Sequence, residues 1–139
     1  MSWLFFAVVS AIAAAATAIL AKIGIEGVPS NLATAIRTVV ITVFAWAIVA
    51  VTGEHQRLSS ISRRSMTFLV LSGIATGISW LAYFRALQLA PASRVSPIDK
   101  LSLPLTIVLA AVVLGEAMGW RLVLGVTLMT VGAILTIGD

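Results

Sequence analysis

The chain has 139 residues, of which 60% are hydrophobic and 10% are charged, and its formal net charge is +4. A soluble domain is about half apolar and a quarter charged, so most of this protein's surface must face lipid. Several positive charges lie at the ends of apolar segments rather than in a stripe with interleaved aromatic residues, which argues against a nucleic-acid partner. The chain has no cysteine, which excludes disulfides and thiolate metal sites.

Five apolar segments are long enough to cross a membrane as helices. In chain order they are about 2–21, 32–51, 65–89, 92–114 and 120–137. The first has no positive charge before its apolar run, so we expect a membrane helix there and not a cleaved signal peptide. Open strand edges are not tolerated in lipid, and the segments are too long and too few for a barrel. The sequence therefore predicts an all-α integral membrane protein, with five transmembrane helices in one domain over residues 1–139.

The orientation of these helices is weakly specified by the basic residues in the loops. With five spans, the ends of the first and third helices lie on the same side of the membrane as the starts of the second and fourth. The loops of the opposite side hold Arg57, Arg63, Arg64 and Arg121, against Lys22 and Arg94 on the first side. Such a weak bias leaves two alternatives, a cytoplasmic N-terminus or insertion in both orientations.

A charged pair, Asp99–Lys100, interrupts the fourth apolar segment between Pro97 and Pro104. A charge inside a span costs a few kcal/mol or more, so it usually faces a cavity, a partner or a substrate. Pro104 removes a backbone donor in the middle of the span and predicts a kink. No metal-ligand cluster, phosphate loop or nucleophile with its base indicates an enzyme or a cofactor.

Arg37 on the second helix and Arg85 on the third lie at a depth similar to that of the charged pair, roughly 8–12 Å from one membrane face. We expect Arg85 to pair with Asp99, while Lys100 points about 100° away from Asp99 and needs another partner. Two interpretations remain open for these four residues. They form a substrate or proton site of net positive character, or the basic residues reach lipid phosphates and Asp99 is a structural counter-ion.

Polar and aromatic side chains accompany these charges. Thr34, Thr38 and Thr42 form a stripe on the second helix, and Ser102 belongs to a similar stripe on the fourth. Such stripes either line a path or make hydrogen bonds between helices. Trp80 and Tyr83 are expected to contact an organic substrate. Gly125 and Gly132, seven residues apart on one side of the fifth helix, suit close association of helices.

One long segment is similar to a known family. Residues 82–116, AYFRALQLAPASRVSPIDKLSLPLTIVLAAVVLGE, resemble the second half of an EamA-type domain of the drug/metabolite transporter superfamily. Arg37, after NLATAI, lies where such domains often have an arginine. The segment GVTLMTVGA (125–133) is similar to the last-helix glycine heptad of small multidrug resistance proteins, but the chain lacks that family's glutamate in helix one.

The resemblance covers the whole chain as a single five-helix repeat, whereas many EamA members contain two inverted repeats. It implies a transporter of a small polar or amphipathic metabolite in the inner (plasma) membrane, acting by alternating access as an antiparallel homodimer. Its expected partners are a small-molecule substrate and membrane lipid. The alternatives are a non-transporting scaffold or regulatory subunit and a flippase of a lipid-linked substrate.

Overall fold

The computed structural model describes residues 2–137, which are helical with no β-strand. It comprises two compact units, one up to Leu89 and one from Ala90 onward. Over the described residues, four helical segments are long and apolar enough to cross a membrane. They are Trp3–Gly24, Ser30–Thr52, Arg63–Leu89 and Ala92–Leu114. The predicted all-helical membrane class is therefore confirmed.

The first unit contains three long helices, α1 (Trp3–Gly24), α2 (Ser30–Thr52) and α3 (Arg63–Leu89). The turn after α1 contains Gly27 at φ +72°, a left-handed conformation that glycine adopts without steric cost. Gly53, also at φ +72°, ends α2. A 3₁₀ helix, Glu54–Ser60, then occupies the segment predicted as a polar loop.

The core of this unit lies at the end where α1 and α3 finish and α2 begins. Phe84 and Leu87 on α3 are 1% and 0% exposed, and α3 packs against both α1 and α2. Residues from the facing ends, including Ala21, Ile25 and Ala33, are buried with them. Elsewhere the large apolar side chains are mostly exposed, as expected for helices whose surroundings are lipid.

The second unit contains α4 (Ala92–Asp99), α5 (Ser102–Leu109), a π-helical turn at Ala110–Leu114 and α6 (Trp120–Leu135). Helix α6 packs against α4 and α5. Because α6 has 16 residues, it is about 24 Å long, less than the roughly 30 Å hydrocarbon core of a bilayer. The fifth predicted span is thus an apolar helix, but it ends two residues before the predicted boundary and is shorter than the other spans.

The fourth predicted span, 92–114, is interrupted at Lys100 and Leu101. Pro104 has no amide hydrogen to donate to the Lys100 carbonyl, which instead accepts from the Leu103 amide at 3.0 Å. Donor and acceptor of this bond are three residues apart instead of four, so the backbone between α4 and α5 turns more tightly than an α-helix. The expectation that Pro104 disturbs the middle of the span is therefore met by a break of the α-helix one turn before it.

Candidate functional site

Arg37 lies in the first unit against two aromatic rings of α3. Its Cζ atom is 5.0 Å from the centroid of Trp80 and 4.7 Å from that of Phe84. The two rings are four residues apart on α3 and therefore lie on one side of that helix. Phe84 also meets Tyr83 edge-to-face, with 6.3 Å between ring centroids. Cation–π contacts thus hold a half-buried guanidinium at the packed end of the unit.

A crevice of about 260 Å³ opens beside Arg37. Its walls come from the end of α1, the turn that follows, the start of α2 and Phe84 of α3. Arg37 is the one charged residue among the nine that line it, and the rest are apolar or glycine. We call this space the Arg37 crevice. It combines an apolar wall with a single fixed positive charge.

A second and more polar cavity, of about 550 Å³, lies in the same unit and is lined partly by Lys22, Glu26 and Gln88. The Lys22 ammonium donates a hydrogen bond to the Leu87 carbonyl. The Gln88 side-chain amide donates to the Val28 carbonyl at 2.7 Å. These two bonds satisfy backbone carbonyls near the end of α3 and in the turn after α1. They connect the end of α3 to the last turn of α1 and to the turn that follows it.

Arg85, predicted to pair with Asp99, donates through Nη1 to the Gln88 Oε1 atom at 3.1 Å. Arg85 is exposed on α3 and does not line the Arg37 crevice. Gln88 therefore accepts from Arg85 while it donates to Val28. The proposed pairing of Arg85 with Asp99 stays a prediction.

In the second unit, the Lys100 ammonium lies 3.2 Å from Asp99 Oδ2, with 54% and 34% of the two side chains exposed. The expectation that Lys100 points away from Asp99 is wrong. The angle of 100° per residue holds only in a continuous α-helix, whereas α4 ends at Asp99 and Lys100 begins the break. Ser102, the first residue of α5, is exposed, and its carbonyl accepts from the Thr106 hydroxyl at 2.8 Å.

The threonine stripe of α2 makes its hydrogen bonds within its own helix. The hydroxyls of Thr34, Thr38 and Thr42 donate to the carbonyls four residues earlier, at 2.8–2.9 Å. The hydrogens of these hydroxyls are therefore used within α2 and are not donated to another helix. Back-bonded threonines of this kind lower the cost of a hydroxyl in an apolar environment.

Gly125 and Gly132 lie on exposed parts of α6. A Cβ atom added at either position would meet no atom within 4 Å, so both positions face open space within the protomer. Over residues 2–137, no group of three or more His, Asp or Glu side chains is placed to hold a metal ion.

Comparison with known proteins identifies the family. The model of the EamA-like transporter family matches residues 1–138. The chain belongs to this family. It is also 50% identical over 134 residues to a protein of Sinorhizobium sp described as an "uncharacterized transporter in cobO 3'region", covering 96% of this chain and 95% of that protein. No solved structure matches.

Family membership and the four candidate spans make this EamA-like protein a multi-pass membrane transporter. The resemblance inferred from residues 82–116 is confirmed over the whole chain. Sequence reasoning found Arg37 and Trp80 but did not bring them together, and it missed Lys22 and Gln88 as tertiary contacts. In the sequence, Lys22 simply follows the first apolar segment. No local pattern indicates that its ammonium donates a hydrogen bond to a carbonyl 65 residues away.

Proposed function

We propose that this EamA-like protein is a secondary transporter of a small polar or amphipathic metabolite in the inner membrane, working by alternating access. The observation that carries the proposal is the broken helical segment Ala92–Leu114, which has an ion pair at its break. In lipid, irregular backbone and charge are tolerated where they line a water-filled cavity or protein interior. Discontinuous helices of this kind commonly form the substrate sites of secondary transporters.

In this proposal the candidate residues of the two units have separate roles. Asp99 is the candidate proton-coupling carboxylate, since a proton on it would release Lys100. Ser102 is the exposed first residue of α5, directly after the break. Trp80, Tyr83, Arg37 and Arg85 are the candidate substrate contacts in the first unit.

The coupling role is tested by an Asp99→Asn variant in proteoliposomes, with Glu116→Gln in the exposed turn as the matched control. The probes are a panel of organic acids, amines and amino acids, with a pH-sensitive dye inside the vesicles. We expect the variant to lose uptake driven by a proton gradient while solute exchange without a gradient continues, because only the titrating group is removed. Uptake that survives intact in the variant contradicts the coupling role. A wild-type protein that moves no probe in the panel favours the non-transporting scaffold.

We further propose that the functional unit is an antiparallel homodimer. The chain resembles one of the two inverted halves of larger family members, and the weak bias of basic loop residues is what insertion in both orientations requires. The open positions at Gly125 and Gly132 support close approach of a second α6, because small residues let helix backbones meet in lipid.

Two measurements test this assembly. Single cysteines introduced into each loop of the cysteine-free chain are labelled from either side of the membrane, and we expect every loop to react from both sides. Labelling from one side alone contradicts the antiparallel arrangement. A Gly132→Leu variant is expected to reduce chemical cross-linking of the dimer, whereas Val123→Leu, an exposed position on the opposite side of the same helix, serves as the control.

A further inference from the structure

The Arg37 crevice combines two properties that together specify a ligand. It is an apolar space of about 260 Å³, and one guanidinium supplies its only charge. We propose that it binds a small amphipathic organic anion, a monocarboxylate whose carboxylate meets Arg37 and whose apolar body fills the crevice. The binding site stands on its own geometry. The statement that this anion is also the transported substrate rests on the proposed function.

The guanidinium of Arg37 has unfilled hydrogen-bonding capacity. Over residues 2–137, Arg37 lies against the rings of Trp80 and Phe84 and interacts electrostatically with Tyr83, and it has no ion pair with a carboxylate and no hydrogen bond to an acceptor. An aromatic ring stabilises a cation but does not replace an acceptor oxygen for its N–H groups. A guanidinium presents five donors in a rigid fork that matches a carboxylate with two parallel bonds. The geometry therefore favours an anion over a cation or a neutral amphiphile.

The volume of the Arg37 crevice limits the size of its ligand. A dry cavity of about 150 Å³ accommodates benzene, which corresponds to about 25 Å³ for each carbon atom. By the same measure the Arg37 crevice holds about ten non-hydrogen atoms. A medium-chain fatty acid such as octanoate, or a monocarboxylate with one aromatic ring, has this size. A complete phospholipid with two acyl chains is too large to be enclosed.

The walls of the Arg37 crevice are apolar apart from Arg37 itself. Gly24, Ala33 and Ile36 supply aliphatic or bare backbone surface, and Phe84 supplies part of a ring that is otherwise buried. None of the eight residues beside Arg37 offers a polar side chain to the space. A sugar, a polyamine or a dicarboxylate would leave its second polar group without a partner in such surroundings, which is costly. The walls therefore restrict the ligand to one charged end and one apolar body.

A lipid headgroup is the other source of an anion at this depth. Long basic side chains near helix ends reach toward phosphates at the membrane surface. The cation–π contacts hold Arg37 against α3 beside the crevice. The experiment therefore compares a soluble monocarboxylate with anionic lipid.

Trp80 provides a direct reporter, since its ring is 5.0 Å from the Arg37 Cζ atom. The other three tryptophans are replaced by phenylalanine, at Trp3, Trp46 and Trp120. The full chain in phosphatidylcholine nanodiscs is titrated with octanoate, octan-1-ol and octan-1-amine. We expect a saturable change in Trp80 fluorescence with octanoate, at a dissociation constant at least ten-fold lower than for the alcohol or the amine.

Two variants separate the charge from the cavity. Arg37→Gln is expected to raise the dissociation constant for octanoate about ten-fold to a hundred-fold, the loss typical of a hydrogen bond to a charged group. Gly24→Leu keeps Arg37 and adds a side chain where a Cβ meets no atom within 4 Å, so it is expected to fill the crevice and weaken octanoate binding without preventing folding. Arg64→Gln, exposed at the start of α3, is the control and leaves binding unchanged.

Equal affinity for octanoate and octan-1-amine overturns the proposal, as does octanoate binding that neither Arg37→Gln nor Gly24→Leu weakens. Nanodiscs that contain anionic phosphatidylglycerol provide the lipid comparison. If that lipid abolishes octanoate binding at all concentrations tested, Arg37 is a headgroup site and the proposal fails. Octanoate that binds but does not cross proteoliposomes contradicts its role as transported substrate and leaves the site intact. Transport of other solutes without octanoate binding overturns the site alone.

Discussion

Replacing Phe84 by alanine removes the ring at the centre of the first unit's core. Phe84 is 1% exposed, lies 4.7 Å from the Arg37 Cζ atom and meets Tyr83 edge-to-face. In a soluble protein much of the loss would come from returning apolar surface to water. Here the unpacked alternative is lipid, which is as apolar as the ring, so the loss comes from packing and from the ring's electrostatic contacts.

The loss in free energy of unfolding caused by Phe84→Ala has three contributions. Removing the ring leaves a cavity on the order of 100 Å³, which at about 24 cal/mol per Å³ costs about 2.4 kcal/mol. The cation–π contact with Arg37 adds about 1 kcal/mol, because Arg37 is half-buried. The edge-to-face contact with Tyr83 adds about 0.5–1 kcal/mol. We therefore expect Phe84→Ala to lower the free energy of unfolding by about 4 kcal/mol.

The assay is reversible unfolding in mixed micelles with increasing mole fraction of a denaturing detergent, followed by helix content. Phe68→Ala is the matched control, because Phe68 lies on the same helix but is 60% exposed, and we expect a change below about 1 kcal/mol. Phe84→Leu keeps most of the volume and loses the ring contacts, so it should lie between the two. Equal losses for Phe84→Ala and Phe68→Ala would refute the placement of the core at this end of the unit.

Three further changes have defined outcomes. Gln88→Leu removes the donor to the Val28 carbonyl, and we expect it to lower the free energy of unfolding by about 1–2 kcal/mol in the same micelle assay. An unchanged free energy of unfolding would contradict this tertiary hydrogen bond. Pro104→Ala introduces an amide that can donate to the Lys100 carbonyl, and we expect this new amide to exchange its hydrogen slowly; rapid exchange there would show that the break does not depend on proline. Gly53→Ala places a Cβ at φ +72° and should cost about 1 kcal/mol, whereas a neutral result would mean that the turn after α2 adopts another conformation.

The positions of the helices follow from the sequence because lipid imposes a strong rule. Every backbone polar group in the bilayer must be satisfied within its own segment, so apolar length alone locates a helix. The predicted segment 65–89 ends at the same residue as α3, and 92–114 has the bounds of the fourth helical segment. The sequence is less exact at two places. Helix α1 continues through Lys22 to Gly24, three residues beyond the predicted end, and the polar segment Glu54–Ser60 forms a 3₁₀ helix where a loop is predicted.

The details of the site required the structure. The sequence indicates that Arg37 and Trp80 are candidate functional residues within membrane spans. It does not determine which helix faces bring their side chains into contact. Lys22 and Gln88 act on backbone carbonyls, which every residue has, so no sequence pattern reveals their partners. The pairing of Lys100 with Asp99 depends on a local break in the helix that proline suggests but does not locate to the residue.

The aromatic environment of Arg37 also has an electrical consequence. A guanidinium keeps its charge across the physiological pH range, and no described residue neutralises this one with a carboxylate. Moving one elementary charge across the full membrane potential changes the free energy by about 2.3 kcal/mol per 100 mV. In an alternating-access cycle, the empty protein would carry this charge through part of the field, whereas the protein with an anion bound to Arg37 would carry no net charge there. Voltage would then act mainly on the return of the empty carrier.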